Sequence, residues 1–148
     1  MSLEIRVAGP QDIEALVSFN QAMALETENK VLQLEILRAG VSAIIQDENK
    51  GFYLVAEANE QVVGSLMVTT EWSDWRNAQF WWIQSVYIIP SMRRQGIYAK
   101  LYERVKTLAE ARNNICGFRL YVENDNFIAQ KTYESLGMQA SHYLMYEE

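Results

Sequence analysis

The stretch Ser85-Val86-Tyr87-Ile88-Ile89-Pro90-Ser91-Met92-Arg93-Arg94-Gln95-Gly96-Ile97-Tyr98 decides how this chain reads. An apolar strand runs up to Pro90, a tight basic turn follows, and a helix begins directly after Gly96. A helix N-terminus exposes unpaired N–H groups and the positive end of its dipole, so the junction suits an anion. Gly96 lets the backbone approach a bulky phosphate that a side chain would block. Arg93 and Arg94 add positive charge at the rim. A pyrophosphate answers this description. The stretch lacks the Gly-Lys-Ser/Thr ending of a Walker loop, and its single glycine is not a dinucleotide fingerprint. Taken alone, it also reads as a capped strand-to-helix turn with solvated arginines, which is the simpler account.

Upstream of the turn, residues 80–89 form the most apolar run, expected to be a central strand buried on both faces. Before it lie two β-rich runs, 52–58 and 61–70, joined at Asn59-Glu60 as a hairpin. Residues 71–77 read as a polar loop carrying Trp72 and Trp75. The N-terminal part gives a short strand at 4–8, broken by Gly9-Pro10. A helix follows with Ile13, Leu16 and Val17 inward, then a second with Val31, Leu34, Leu37, Val41 and Ile44 at spacings of three and four.

Downstream, a helix over 97–112 turns Ile97, Leu101, Val105 and Leu108 to the core. A strand at 116–122, a short helix at 127–136 closed by Gly137 and a last strand at 138–146 complete the order β-α-α-β-β-β-α-β-α-β. The fold class is α+β, a mixed sheet with helices, and 148 residues without repeat or linker make one domain over 1–148.

Composition narrows the function. Hydrophobic residues are 49% and charged residues 22%, which is the globular range. The net charge of −6 argues against nucleic acid, whose binders need basic surface. No long uncharged apolar run suggests a membrane span, and Met1-Ser2-Leu3-Glu4 does not open a signal peptide. The single cysteine, Cys116, has no internal disulfide partner, and no Cys/His cluster suggests a metal. A cytoplasmic protein is expected.

Two separated blocks of residues resemble the GNAT superfamily of N-acetyltransferases. Arg93, Gly96 and, imperfectly, Tyr98 match its acyl-CoA signature, Arg/Gln-x-x-Gly-x-Gly/Ala. Asn126, Ala129, Tyr133 and Gly137 match a second pattern, Asn-x-x-Ala-x-x-x-Tyr-x-x-x-Gly. The blocks occur in order, with a helix and a strand between them, and the N-terminal strand and paired helices extend the likeness over nearly the whole chain.

The resemblance implies acetyl-CoA as acyl donor, an amine acceptor, no metal, and in some members a homodimer. It places the CoA pyrophosphate on the backbone amides of Arg94, Gln95, Gly96, Ile97 and Tyr98, and the pantetheine arm along Val86, Tyr87 and Ile88 as an added strand. It implies that this strand splays from the one at 116–122 to open the cofactor slot. It gives Asn126 a place on the cofactor arm and at the helix cap. It makes Tyr133 the general acid for the departing thiolate; the plain alternative is a core tyrosine one turn after Ala129.

An alkyl ammonium of pKa ~10 must lose a proton before it attacks. Gln84 and Ser85 stand where many members carry a carboxylate, so the base is elsewhere. Glu71 or Asp74, or Glu26 or Glu28 between the first two helices, are candidates, unless the amine arrives with a low pKa. Glu71 leads because it ends a strand beside the central one. His142, the only histidine, is read as structural. Trp72 and Trp75 alternate with Glu71 and Asp74, and either wall an acceptor pocket or serve core or subunit packing. Tyr98 replaces the usual small residue; with its ring turned outward it forms an i, i+4 pair with Tyr102. Rival expectations are a CoA-binding regulatory module without turnover and an interaction domain docking through the Trp-rich segment.

Overall fold

A computed structural model describes residues 2–148. Five strands, β1 (Leu3–Val7), β2 (Phe52–Ala58), β3 (Gln61–Ser73), β4 (Ala78–Ile88) and β5 (Ile115–Arg119), form one sheet in the order β1-β2-β3-β4-β5. The first four are antiparallel, and β5 joins β4 in parallel. Four helices accompany them: α1 (Ile13–Glu28), α2 (Leu34–Gln46), α3 (Ile97–Arg112) and α4 (Phe127–Ser135).

Alternation along the strands divides the core between the two faces. Leu54, Leu66, Val68, Trp81 and Ile83 bury against Ile97, Leu101 and Val105 of α3. On the other face, Tyr53 and Val55 meet Leu16 and Val17 of α1 and Val41 and Ile44 of α2. The sheet is therefore a middle layer, and the strand-to-helix turn at its edge is held by packing on both sides.

Local chemistry accounts for the joints. Asn59 and Glu60 both have positive φ, 52° and 64°, the two-residue reversal whose twist suits a hairpin. At the start of α1, the Asp12 carboxylate accepts from the Gly9 amide at 2.8 Å and from both Arg6 nitrogens at 2.8 and 2.9 Å. The end of α4 is a Schellman closure: Gly137 has φ 101°, and Met138 donates its amide to the Tyr133 carbonyl at 3.0 Å.

Four expectations are corrected. The second helix starts at Leu34, leaving Val31 exposed. The supposed loop at 71–77 is strand as far as Ser73, with only a tight turn before Ala78, because Glu71, Trp72 and Ser73 find ladder partners in Phe80, Gln79 and Ala78. Strand β5 stops at Arg119 rather than 122. Residues 138–148 have no regular structure where a last strand was expected; they pair with no strand of the sheet, which ends at β5.

Candidate active site

The β4–β5 ladder runs Gln79↔Ile115, Phe80↔Gly117, Trp81↔Phe118 and Trp82↔Arg119, and there it ends. Strand β4 continues for six more residues paired only with β3. Its backbone from Ile83 to Ile88 thus has no β5 partner, and the two parallel strands part at Trp82 and Arg119. An extended chain can add itself along such an edge. Val86, Tyr87 and Ile88 all lie on this unpaired part.

Within it, Ser65 pairs with Tyr87 but Met67 pairs with Gln84, so β4 carries one extra residue in a bulge. Ser85 sits in the bulge at φ 51°. A bulge re-aims the backbone amides near it, and a non-glycine residue with positive φ is held there by its surroundings. Sequence reading missed this feature, since serine in an apolar strand carries no turn signal.

Past Ile88 the chain turns once through Pro90–Met92 and enters α3. Arg94 and Gly96 both have positive φ, 64° and 77°. Such a turn makes successive N–H groups converge on an anion-sized concavity. The first backbone bond of α3 runs from the Lys100 amide to the Gly96 carbonyl, 3.2 Å, so the amides of residues 94–98 have no backbone acceptor. A Cβ on Gly96 would meet no protein atom within 4 Å. The demand for glycine thus comes from its φ and from whatever approaches this open side.

Arg93 does not serve the rim as expected. Its guanidinium donates to the Ile88 carbonyl at 2.8 Å and to Glu26 at 2.9 Å, and lies 5.3 Å from the Tyr87 ring centroid. Glu26 also accepts from the Tyr87 hydroxyl at 2.6 Å. These two donors, Tyr87 first, hold the Glu26 carboxyl below its ordinary range. Glu26 and Glu28 lie in the last turn of α1 rather than between helices. Glu26 therefore braces that helix onto β4 and the turn.

Tyr133 projects from α4 against the start of α3. Its ring meets Tyr98 edge to face at 5.5 Å, and Tyr98 stacks on Tyr102 with planes 5° apart. The i, i+4 pair stands, but Tyr98 is turned inward, contrary to expectation, with its hydroxyl buried and unpartnered. Burial pushes the Tyr133 phenol above its ordinary pKa and keeps it protonated at neutral pH. Asn126 caps α4 by accepting from the Ala129 amide at 3.2 Å.

Where the strands part, Glu71 Oε1 accepts from Trp82 Nε1 at 2.7 Å and from Arg119 Nη1 at 2.9 Å. The Trp82 bond foremost, then Arg119, lowers its pKa against a partial desolvation. The sequence did not announce this bridge. Arg119 also lies 3.5 Å above the Phe80 ring centroid, and Trp82 faces Tyr121 at 6.1 Å, giving an aromatic and charged surface beside the fork. Gln84 is occupied with Thr69 at 2.6 Å. Trp72, opposite Gln79, stands about 10 Å of strand beyond Trp82, and Asp74 and Trp75 lie farther out in the hairpin turn. The structure does not bring those three to the fork. His142 lies on the exposed C-terminal segment, its ring 4.2 Å from that of Tyr143 and tilted 33° to it.

A cavity of about 300 Å³ among Ile44, Glu48, Phe52, Trp81 and Arg112 lies at the other end of α3. Among the described residues, no helix is long and apolar enough to cross a membrane, and no group of three or more His, Cys, Asp or Glu clusters as metal ligands would.

Comparison with known proteins bears directly on this geometry. A family model described as acetyltransferase (GNAT) family matches residues 17–138. A possible acetyltransferase from Clostridium difficile 630 is 45% identical, with TM-score 0.93, covering 100% of this chain and 97% of its own. A predicted acetyltransferase from Clostridium acetobutylicum, solved with acetyl-CoA, is 20% identical with TM-score 0.83, covering 99% and 96%. AAC(6')-Iy in complex with the bisubstrate analog CoA-S-monomethyl-acetylneamine is 14% identical with TM-score 0.80, covering 100% and 98%. The last two share the fold. No curated protein matches the chain.

Proposed function

The chain belongs to the GNAT acetyltransferase family, and from that premise we propose that it moves an acetyl group from acetyl-CoA to a primary amine of a small molecule or peptide, by direct attack in a ternary complex. One observation carries the reading. The β4–β5 ladder ends at Trp82 and Arg119 while β4 runs on, through a bulge, into a turn of unpaired amides. A cofactor with an extended arm and a pyrophosphate needs that combination: a strand edge for the arm and converging N–H groups for the phosphates.

The residues divide the work as follows. The amides of Arg94, Gln95, Gly96, Ile97 and Tyr98 hold the pyrophosphate, and Val86, Tyr87 and Ile88 align the pantetheine arm. Asn126 fixes the start of α4, so that Tyr133 points its phenol at the sulfur. The amine nitrogen bonds to the acetyl carbon as the C–S bond breaks, and Tyr133 donates its proton to the thiolate. A phenol of pKa ~10 or above protonates a thiolate of ~8.5 against a small gradient, so this help is modest.

Glu71 supplies the acceptor side. Two donors already engage it, and a carboxylate has about four acceptor positions, so it can also take an ammonium or an ordered water. Its lowered pKa makes it a weak base. Its part is to orient the amine and pass the proton through water to solvent. Cytosolic polyamines, amino acids and peptide termini all present such a group.

A second reading, a CoA-binding module without turnover, draws on Gln84, an amide that donates to Thr69 and stands beside the bulge where a carboxylate base would be needed. An amine panel assayed for CoA release separates the two. Turnover of any amine supports the transferase; binding of acetyl-CoA with no turnover supports the module.

A further inference from the structure

The cavity at the far end of α3 carries chemistry of its own. It lies between the last turns of α2 and α3, and its walls include Ile44, Phe52 and Leu108. Its volume of about 300 Å³ is at the small end of ligand pockets. Leu108 and Arg112 follow Gly96 by 12 and 16 residues, about 18–24 Å of helix, which separates the cavity from the phosphate turn.

Three polar groups on its wall lack partners. Trp81, 1% exposed, has a buried Nε1–H with no acceptor, although a buried indole N–H ordinarily finds one. The Arg112 guanidinium lies 5.4 Å from the centroid of the same ring. Among the described residues neither Arg112 nor Glu48, which also lines the cavity, forms an ion pair. Lys50, the cation nearest Glu48 in sequence, is taken by Asp47 at 3.5 Å. One apolar cavity thus presents a cation and an anion that do not neutralise each other. The carbonyl end of α2, which stops at Gln46, adds to the negative side.

We propose that this cavity binds a free α-amino acid with a large apolar side chain, at a site separate from the fork. The carboxylate sits between the Arg112 guanidinium and the Trp81 N–H, since two hydrogen bonds of ~2.9 Å bridge groups this close. The ammonium turns to Glu48 and the carbonyl end of α2. The side chain packs on Ile44, Leu108 and the edge-to-face pair of Phe52 and Trp81, whose centroids are 5.2 Å apart. A plain carboxylate leaves Glu48 unanswered, and a plain amine leaves Arg112 and Trp81 unanswered. The zwitterion matches both. The site stands whether or not the fork transfers acetyl groups.

Calorimetry with L-phenylalanine on the full chain tests this, in the absence of acetyl-CoA so that no acetyl transfer intrudes. L-phenylalanine is expected to bind, with 3-phenylpropionate and phenethylamine, each lacking one charge, weaker by about 10-fold or more. Glu48→Gln and Arg112→Gln change exposed side chains, so the fold should persist while L-phenylalanine affinity falls about 10-fold in each. Glu71→Gln and saturating CoA should both leave that affinity unchanged. Absence of L-phenylalanine binding at millimolar concentration overturns the proposal. So does equally tight binding of either one-charge analogue, or full affinity in both Glu48→Gln and Arg112→Gln. Loss of binding in Glu71→Gln, or competition by CoA, would put the ligand at the fork and refute a separate site.

Discussion

The Tyr98 ring meets the Tyr133 ring edge to face at 5.5 Å, so the residue that departs from the acyl-CoA signature positions the residue assigned as general acid. A small residue at 98 would leave that side of Tyr133 uncovered. Replacing Tyr133 with Phe keeps the ring and this contact and removes only the proton. It is expected to lower kcat by about 10–100-fold, the low end for general acid catalysis, with little change in acetyl-CoA affinity. Steady-state kinetics with calorimetry on the same variant checks both halves. The phenol acts while protonated, and burial raises its folded pKa, so activity should hold through neutral pH and fall only as pH rises through that pKa, above ~10.

Glu71 bridges Trp82 and Arg119 where the strands part. Glu71→Gln should lower kcat/KM for the amine about 10–100-fold, the worth of hydrogen bonds to a charged group. Acetyl-CoA binding should be unchanged. Unaltered kcat/KM at every pH removes Glu71 from the acceptor site. Its carboxyl is already ionised well below neutrality, so its own titration adds no pH dependence between about 6 and 9.

Much of this was legible in the residues themselves. Asn59 announces a reversal because asparagine tolerates positive φ, and Gly96 announces the turn for the same reason. The spacing of Leu101 and Val105 gives the buried side of α3. What stayed hidden depends on neighbours distant in sequence. The bulge at Ser85 exists only against Ser65 and Met67, and Glu71 acquires its role only when Arg119 arrives 48 residues later. The length of β3 was underestimated because a polar, Trp-containing segment resembles a loop until Phe80 pairs with it. Arg93 was placed at the phosphate rim from its charge and its match to the acyl-CoA signature, and neither announces its ion pair with Glu26, 67 residues away.

Asp12 is buried, and burial favours its neutral form, but Arg6 and the Gly9 amide outweigh this and hold its pKa below the ordinary value. Its stabilisation is fully present above the unfolded pKa of ~3.9 and is lost as pH falls through the lower folded value. Asp12→Asn leaves Arg6 without its main partner and should cost about 3 kcal/mol at pH 7. Thermal unfolding would read this as roughly 6–12 °C in Tm, shrinking below pH 4. The same loss at pH 3 and pH 7 would contradict the assignment.

Gly96→Ala tests the turn without adding charge. Holding φ near 77° with a Cβ costs about 1–2 kcal/mol. Because no protein atom opposes the Cβ, the fold should survive, with a Tm lowered by a few degrees. Acetyl-CoA affinity should fall at least 10-fold as the amides lose their alignment. A variant that unfolds less readily than wild type would show that the turn does not require glycine.

The account rests most directly on acetyl-CoA occupying the turn after β4. Calorimetric titration of the wild-type protein and of Gly96→Glu tests it in one experiment. Micromolar binding to wild type, abolished by a carboxylate at Gly96 in a variant that still unfolds cooperatively, is the predicted result. No heat and no thermal shift with wild type, or undiminished binding to Gly96→Glu, would contradict it.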